Sequence, residues 1–176
     1  MKNEKNFLLN FFIKNKFYFL VFGFFFISVL SVGFLVQFLF LPHFFPYFHC
    51  GDGLVCGGDW IKFHQEGKEI ASQIEKEGLS KKIIETQKEK KFDRLSLVVG
   101  FFYFLFGVHK PWILLPFNAF LHALSGVLLI IILQKFGFSK KVSFLSSLFF
   151  VFFPSSFYWT SQIHNEGIYI LSLIHI

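Results

Sequence analysis

The chain has 176 residues, 54% of them hydrophobic and only 16% charged, and the charges fall in blocks. That composition excludes an ordinary soluble globule. A formal charge of +6 does not make a nucleic-acid binder either: the hydrophilic stretch 43–94 holds nine Lys/Arg and nine Asp/Glu, so the excess sits in short basic patches beside apolar runs, where positive charge sets membrane orientation.

Residues 1–16 carry Lys2, Lys5, Lys14 and Lys16, and no charged residue follows from Phe17 to Pro42. A cleaved leader has an apolar core of roughly 7–15 residues and a small-x-small cleavage site. The run here is longer, and the PHFFP that ends it lacks such a site. The expectation is a retained transmembrane helix over 17–41 after a cytoplasmic N-terminus, since roughly 20 apolar residues cross a bilayer.

The polar stretch opens with CGDGLVCGGDWIKFHQEGKEIA. It has no Gly-Lys-Ser/Thr ending, so it is not a phosphate loop. Cys50 and Cys56 stand six apart with no second ligand pair downstream, which argues against structural zinc. They are candidates for a disulfide suited to an oxidising outer compartment, with free thiols as the alternative. Next, Trp60, Phe63, His64, Gly67, Ile70, Ala71, Ile74 and Gly78 recur at three-to-four spacing, predicting an amphipathic interfacial helix. Asp59 stands at its first turn, where a carboxylate either caps the helix or accepts a proton from a hydroxyl. A second, charged helix is expected over 81–92 with Ser80 as its cap, its lysines forming a solvated face.

Residues 95–108 are apolar but only about 14 long, in the range of a re-entrant or interfacial segment. The outer loop therefore extends over 42–111. Transmembrane helices are expected over 112–133 and 142–158, joined by the cytoplasmic loop 134–141. With 95–108 not crossing, Lys135, Lys140 and Lys141 fall inside, as the positive-inside rule requires, and the outer loop 159–166 lies on the face that carries Asp59. Residues 167–176 read as the start of a further helix, and the closing LSLIHI supports no interpretation of its own. Asn118 and His122, at i and i+4, are placed for interhelical hydrogen bonds.

Taken in order, GGDWIKFHQEGKEIASQIEKEG, a short apolar stretch ending in FG, LLPFNAFLHALSGVLLIIILQKFGFSKK and FFVFFPSSFYWTSQIHNEGIYI resemble the N-terminal part of the GT-C superfamily of membrane glycosyltransferases, of the protein O-mannosyltransferase and aminoarabinose transferase type (glycosyltransferase family 39-like). The resemblance covers most of the chain after residue 17. It departs from the family pattern where Phe63 and His64 replace the usual Tyr, and where a charged helix replaces a Pro-rich stretch.

The resemblance implies an all-α, multi-pass transmembrane protein of the cell membrane, with its active site on the periplasmic or extracellular face. Asp59 matches the proposed catalytic base, which activates an acceptor hydroxyl for attack on a sugar carried by a polyprenyl phosphate. Glu166 matches an acid that shapes the acceptor site. Trp60, His64, His164 and Asn165 are the accompanying substrate-binding candidates. The implied partners are the polyprenyl-phosphate-linked sugar donor, membrane lipids and a lipid, glycan or protein acceptor, with no nucleic acid. No residue is assigned to a metal and no cofactor is required, a divalent metal being the open alternative. A different class also fits the composition: a non-enzymatic multi-pass membrane protein, such as a transport or polysaccharide-assembly subunit.

Overall fold

The computed structural model describes residues 2–78 and 92–164, with Gly167, Tyr169 and Ser172, and side chains from Asn15 onward. Every regular element among them is a helix; the one β contact is an isolated bridge between His49 and Val55. The charged helix expected over 81–92 falls almost wholly outside the described residues.

Helix α1 (Lys2–Leu35) contains no proline and no Asn/Asp beyond its first turns except Asn15, so nothing stops it before the apolar run ends. It then widens into a π-helical segment, Val36–Phe44. Pro42 is the physical cause: it lacks an N–H and its ring clashes with the carbonyl four residues back, and a wider turn relieves both. Phe45 N–H closes the segment on Phe40 O at 3.1 Å.

The amphipathic helix is α2 (Asp59–Glu77), and the residues it buries are Trp60, Phe63, His64, Gly67, Ile70, Ala71 and Ile74. Gly58, not Asp59, occupies the cap position, and Asp59 is the first helical residue. The apolar piece at 95–108 forms α3 (Arg94–Phe106), capped by the Asp93 carboxylate accepting from Leu95 N–H at 3.0 Å and stopped by Gly107 at φ +64°. At 1.5 Å per residue it is only about 20 Å long.

Helices α2 and α3 form the most extensive helix pairing in the structure. They cross where Gly67 meets Gly100: a Cβ on Gly67 would lie 2.5 Å from Val99 Cγ1, and one on Gly100 would lie 2.5 Å from Ile70 Cγ2. Neither position has room for a side chain.

A single 3₁₀ turn, Pro111–Leu114, leads into α4 (Leu115–Lys135), which packs along α1. The apolar run over 142–158 is built as two helices, α5 (Lys140–Val151) and α6 (Pro154–Thr160), which meet at a bend of 57°. Pro154 sits in the first turn of α6, where its missing N–H costs nothing, and it forces Phe153 into extended backbone.

Among the described residues two helical stretches, Asn15–Phe44 and Pro111–Lys135, are long and apolar enough to cross a membrane, or three if the bent α5–α6 pair counts as one. On α1, Phe19, Leu20, Phe24 and Ile27 point outward, the surface a lipid-facing helix presents. The inward face packs Val21, Phe25 and Val29 against Ala119, Ala123, Val127 and Ile130 of α4 and Val151 of α5. At one end of this bundle Tyr18 donates to Gln134 Oε1 at 2.8 Å, and Lys140 Nζ stands 3.9 Å from the centre of the Phe17 ring. The basic N-terminal segment and the basic 135–141 loop are thereby gathered at the same end. The polar loop, α2 and α3 occupy the other.

Candidate functional site

The turn between α1 and α2 is a small ring closed by a Cys50–Cys56 disulfide, with the two Cα atoms 5.0 Å apart. Gly51, Asp52 and Gly53 take positive φ of 92°, 53° and 80°, a backbone that glycine adopts freely and aspartate tolerates better than most. Gly53 is also packed so closely that a Cβ would lie 2.7 Å from Gln37 Cβ. His49 Nε2 accepts from Gly53 N–H at 3.0 Å, and Cys50 N–H donates to Leu54 O at 2.9 Å.

From this ring two sets of contacts diverge. On one side, Asp52 pairs with the ammonium of Lys110 through Oδ1, while Oδ2 stands 3.6 Å from Lys68 Nζ and 3.4 Å from His64 Nε2. The last distance is within Coulombic reach but lacks hydrogen-bond geometry, so His64 Nε2 has no hydrogen-bond partner. His64 Nδ1 is 2.6 Å from Tyr103 Oη on α3.

Burial disfavours the charged imidazole and the nearby Lys68 ammonium adds to that, so His64 is pushed down to about 4 despite the opposing pull of Asp52. Burial pulls the Asp52 carboxyl upward, but the Lys110 hydrogen bond and the Lys110 and Lys68 charges outweigh it and leave it below its usual value. Burial, and then the Asp52 charge, raise the Tyr103 hydroxyl well above its ordinary range.

On the other side, Val55 N–H donates to Gln162 Oε1 at 3.0 Å and Gly53 O accepts from Gln162 Nε2 at 3.4 Å. Gln37 of the π-helical segment donates to Ser161 O. Asn118 Nδ2 donates to Thr160 O at 3.1 Å and Gln162 O at 2.8 Å. Three separate parts of the chain thus converge on residues 160–162. His122, one turn below Asn118, places Nε2 3.3 Å from Val151 O, so both residues join helices.

Beside this junction lies a cavity of about 140 Å³, lined by Asn118, His122, Ser155, Trp159, Thr160 and His164 among others. It is walled by neutral polar groups and one indole. The Trp159 ring lies 4.7 Å from that of His164, tilted at 54°, on one side and meets the Trp60 ring edge-on at 5.9 Å on the other. Trp60 is buried, its indole N–H donating to Val55 O. Asp59, the residue before it, is exposed and makes no side-chain hydrogen bond or ion pair among the described residues.

Of the residues singled out in the sequence, His164 lines the cavity and Trp60 connects Asp59 to it through Trp159. His64 does not: it is turned into the α2–α3 interface, because the apolar stripe that buries α2 runs through position 64. Asn165 and Glu166 lie outside the described residues. Asp52, Tyr103, Lys110 and Gln162 were not legible as site residues. Asp52 had one local signal, an aspartate between two glycines inside a cysteine pair; Gln162 had none, since its partner lies 107 positions away. Among the described residues no group of three or more His, Cys, Asp and Glu side chains is arranged to hold a metal.

No protein-family model, curated protein or solved structure matches this chain.

Proposed function

We propose that this protein is a multi-pass membrane glycosyltransferase that moves a sugar from a polyprenyl-phosphate carrier to an acceptor hydroxyl on the outer face of the membrane. The observation that carries the reading is Asp59. It is an exposed carboxylate, without a hydrogen-bond or ion-pair partner among the described residues, at the first residue of α2 and next in sequence to Trp60, whose ring meets Trp159 and, through it, His164 on the wall of the polar cavity. Aromatic faces with neutral hydrogen-bonding groups are the lining a sugar ring requires, and a free carboxylate beside them is what activation of a hydroxyl requires.

In this reading Asp59 takes the acceptor proton as the acceptor oxygen attacks the anomeric carbon. The bond from that carbon to the phosphate oxygen breaks, and the polyprenyl phosphate leaves with the electron pair. No step is assigned to a divalent metal, since no group of three or more His, Cys, Asp and Glu side chains gathers among the described residues. The outer location is supported by the disulfide at this end and by the basic patches gathered at the opposite end.

The test is Asp59→Asn in the full-length protein, assayed for sugar release from a polyprenyl-phosphate sugar. Loss of the base lowers the rate by about 10²–10⁴-fold while thermal stability in detergent stays unchanged. Full activity in the variant would reduce Asp59 to a helix-terminus residue, whereas no sugar release by the unaltered protein would leave the transport or assembly-subunit reading standing.

A further inference from the structure

We infer that the Cys50–Cys56 ring is a redox-responsive clasp that holds the Asp59-bearing helix against the cavity wall. The inference is independent of the reaction the protein performs. It rests on how the ring spends its polar groups. The Asp52 carboxylate faces His64 and Lys68 of α2 and Lys110 at the entry to α4. Val55 O takes the Trp60 indole N–H, fixing the first turn of α2. Val55 N–H and Gly53 O both engage Gln162, next to the cavity-lining Thr160. One ring therefore grips both sides.

That grip depends on closure. Three consecutive residues, 51–53, hold positive φ, and an open glycine-rich chain has many other conformations to occupy. The disulfide removes most of them. Leu54 and Val55 are buried beneath the ring, while the Cys50 side chain is exposed and open to attack. A dithiol reductant attacks one sulfur with its thiolate, the Cys50–Cys56 bond breaks, and its second thiol closes to release the mixed disulfide. The protein gains two electrons and two protons as two thiols, and the reductant becomes a disulfide. With the ring open, Asp52 and Val55 lose their fixed placement together.

Hydrogen exchange on the full chain in detergent, before and after treatment with dithiothreitol, tests this. Reduction is expected to speed exchange about tenfold or more at the Val55 amide and in peptides spanning 60–63 and 160–163, with α4 unchanged. The double variant C50S/C56S should show the fast rates in both conditions and no response to the reductant. Acceleration confined to 50–56, or none at all, would overturn the clasp. So would two free thiols titrated in protein taken from an oxidising compartment. Because the reduction is performed on folded wild-type protein, the result does not hinge on the double variant accumulating.

Discussion

The two ends of this molecule solve the same packing problem with different chemistry. In the α1–α4–α5 bundle the contact faces are Ala119, Ala123, Gly126 and stacked phenylalanines, with Phe25 stacked on Phe144 at 6.3 Å and Phe22 edge-on to Phe120 at 5.5 Å. In lipid, burying apolar surface gives no preference for one helix partner over another, so close approach through small residues and occasional interhelical hydrogen bonds must select the geometry. At the α2–α3 end, a true amphipathic stripe buries Trp60, Phe63, Ala71, Val99 and Tyr103 in one cluster, where removal of apolar surface from water drives association. That end then adds a disulfide and a buried polar network. Its geometry is specified by bonds; the bundle's is specified by shape.

The contrast is broken most sharply at the two glycine crossings. Gly67→Val forces a branched side chain into Val99 and the Gly100 backbone, and about 3 kcal/mol of destabilisation is expected, read as local unfolding of α2–α3 by hydrogen exchange. Gly126→Val in the bundle first meets the side chains of Val151 and Phe25, with no backbone atom of another element among the three nearest, so the thermal unfolding temperature in detergent should fall less. Equal losses would mean that the two crossings are equally rigid.

Acid should separate the two ends as well. Folded His64 stays neutral down to about pH 4, whereas the unfolded chain takes up that proton near 6.5. The unfolded state thus binds more protons between these values, so stability is full above pH 6.5 and falls as the pH drops toward 4, by on the order of 3 kcal/mol. Asp52, depressed from 3.8, extends the loss to lower pH. Unfolding of the α2–α3 end followed against pH should show this slope, and His64→Phe should flatten it above pH 4. An unaltered slope in the variant would assign the acid sensitivity to another group.

The smallest expected effect lies in the bundle. Ser147 Oγ donates to Gly126 O at 2.7 Å between α5 and α4, and Ser147→Ala should cost about 0.6 kcal/mol in detergent unfolding. A loss of several kcal/mol would show that the bundle, too, depends on directional bonds.

Periodicity was enough to place the helix that follows Asp59, because its buried positions are the apolar ones and local spacing encodes that face. The first apolar run could be recognised from length and composition as a helix able to cross a membrane. The break at Pro154 carried a local signal in the proline itself, whereas the size of the bend there did not show in an apolar run that continues through it.

What the sequence by itself determined is therefore the all-helical class, the apolar stretches able to cross a membrane, the amphipathic helix with Asp59 at its start and the cysteine pair poised for closure. Each depends on neighbours within a few residues. Only the tertiary structure decided that His64 turns inward to Tyr103, that Asp52 faces two lysines from different elements, and that Gln162 locks the ring to the cavity wall. Those contacts join residues from 16 to 109 positions apart, and no local pattern records which distant groups a fold will bring together.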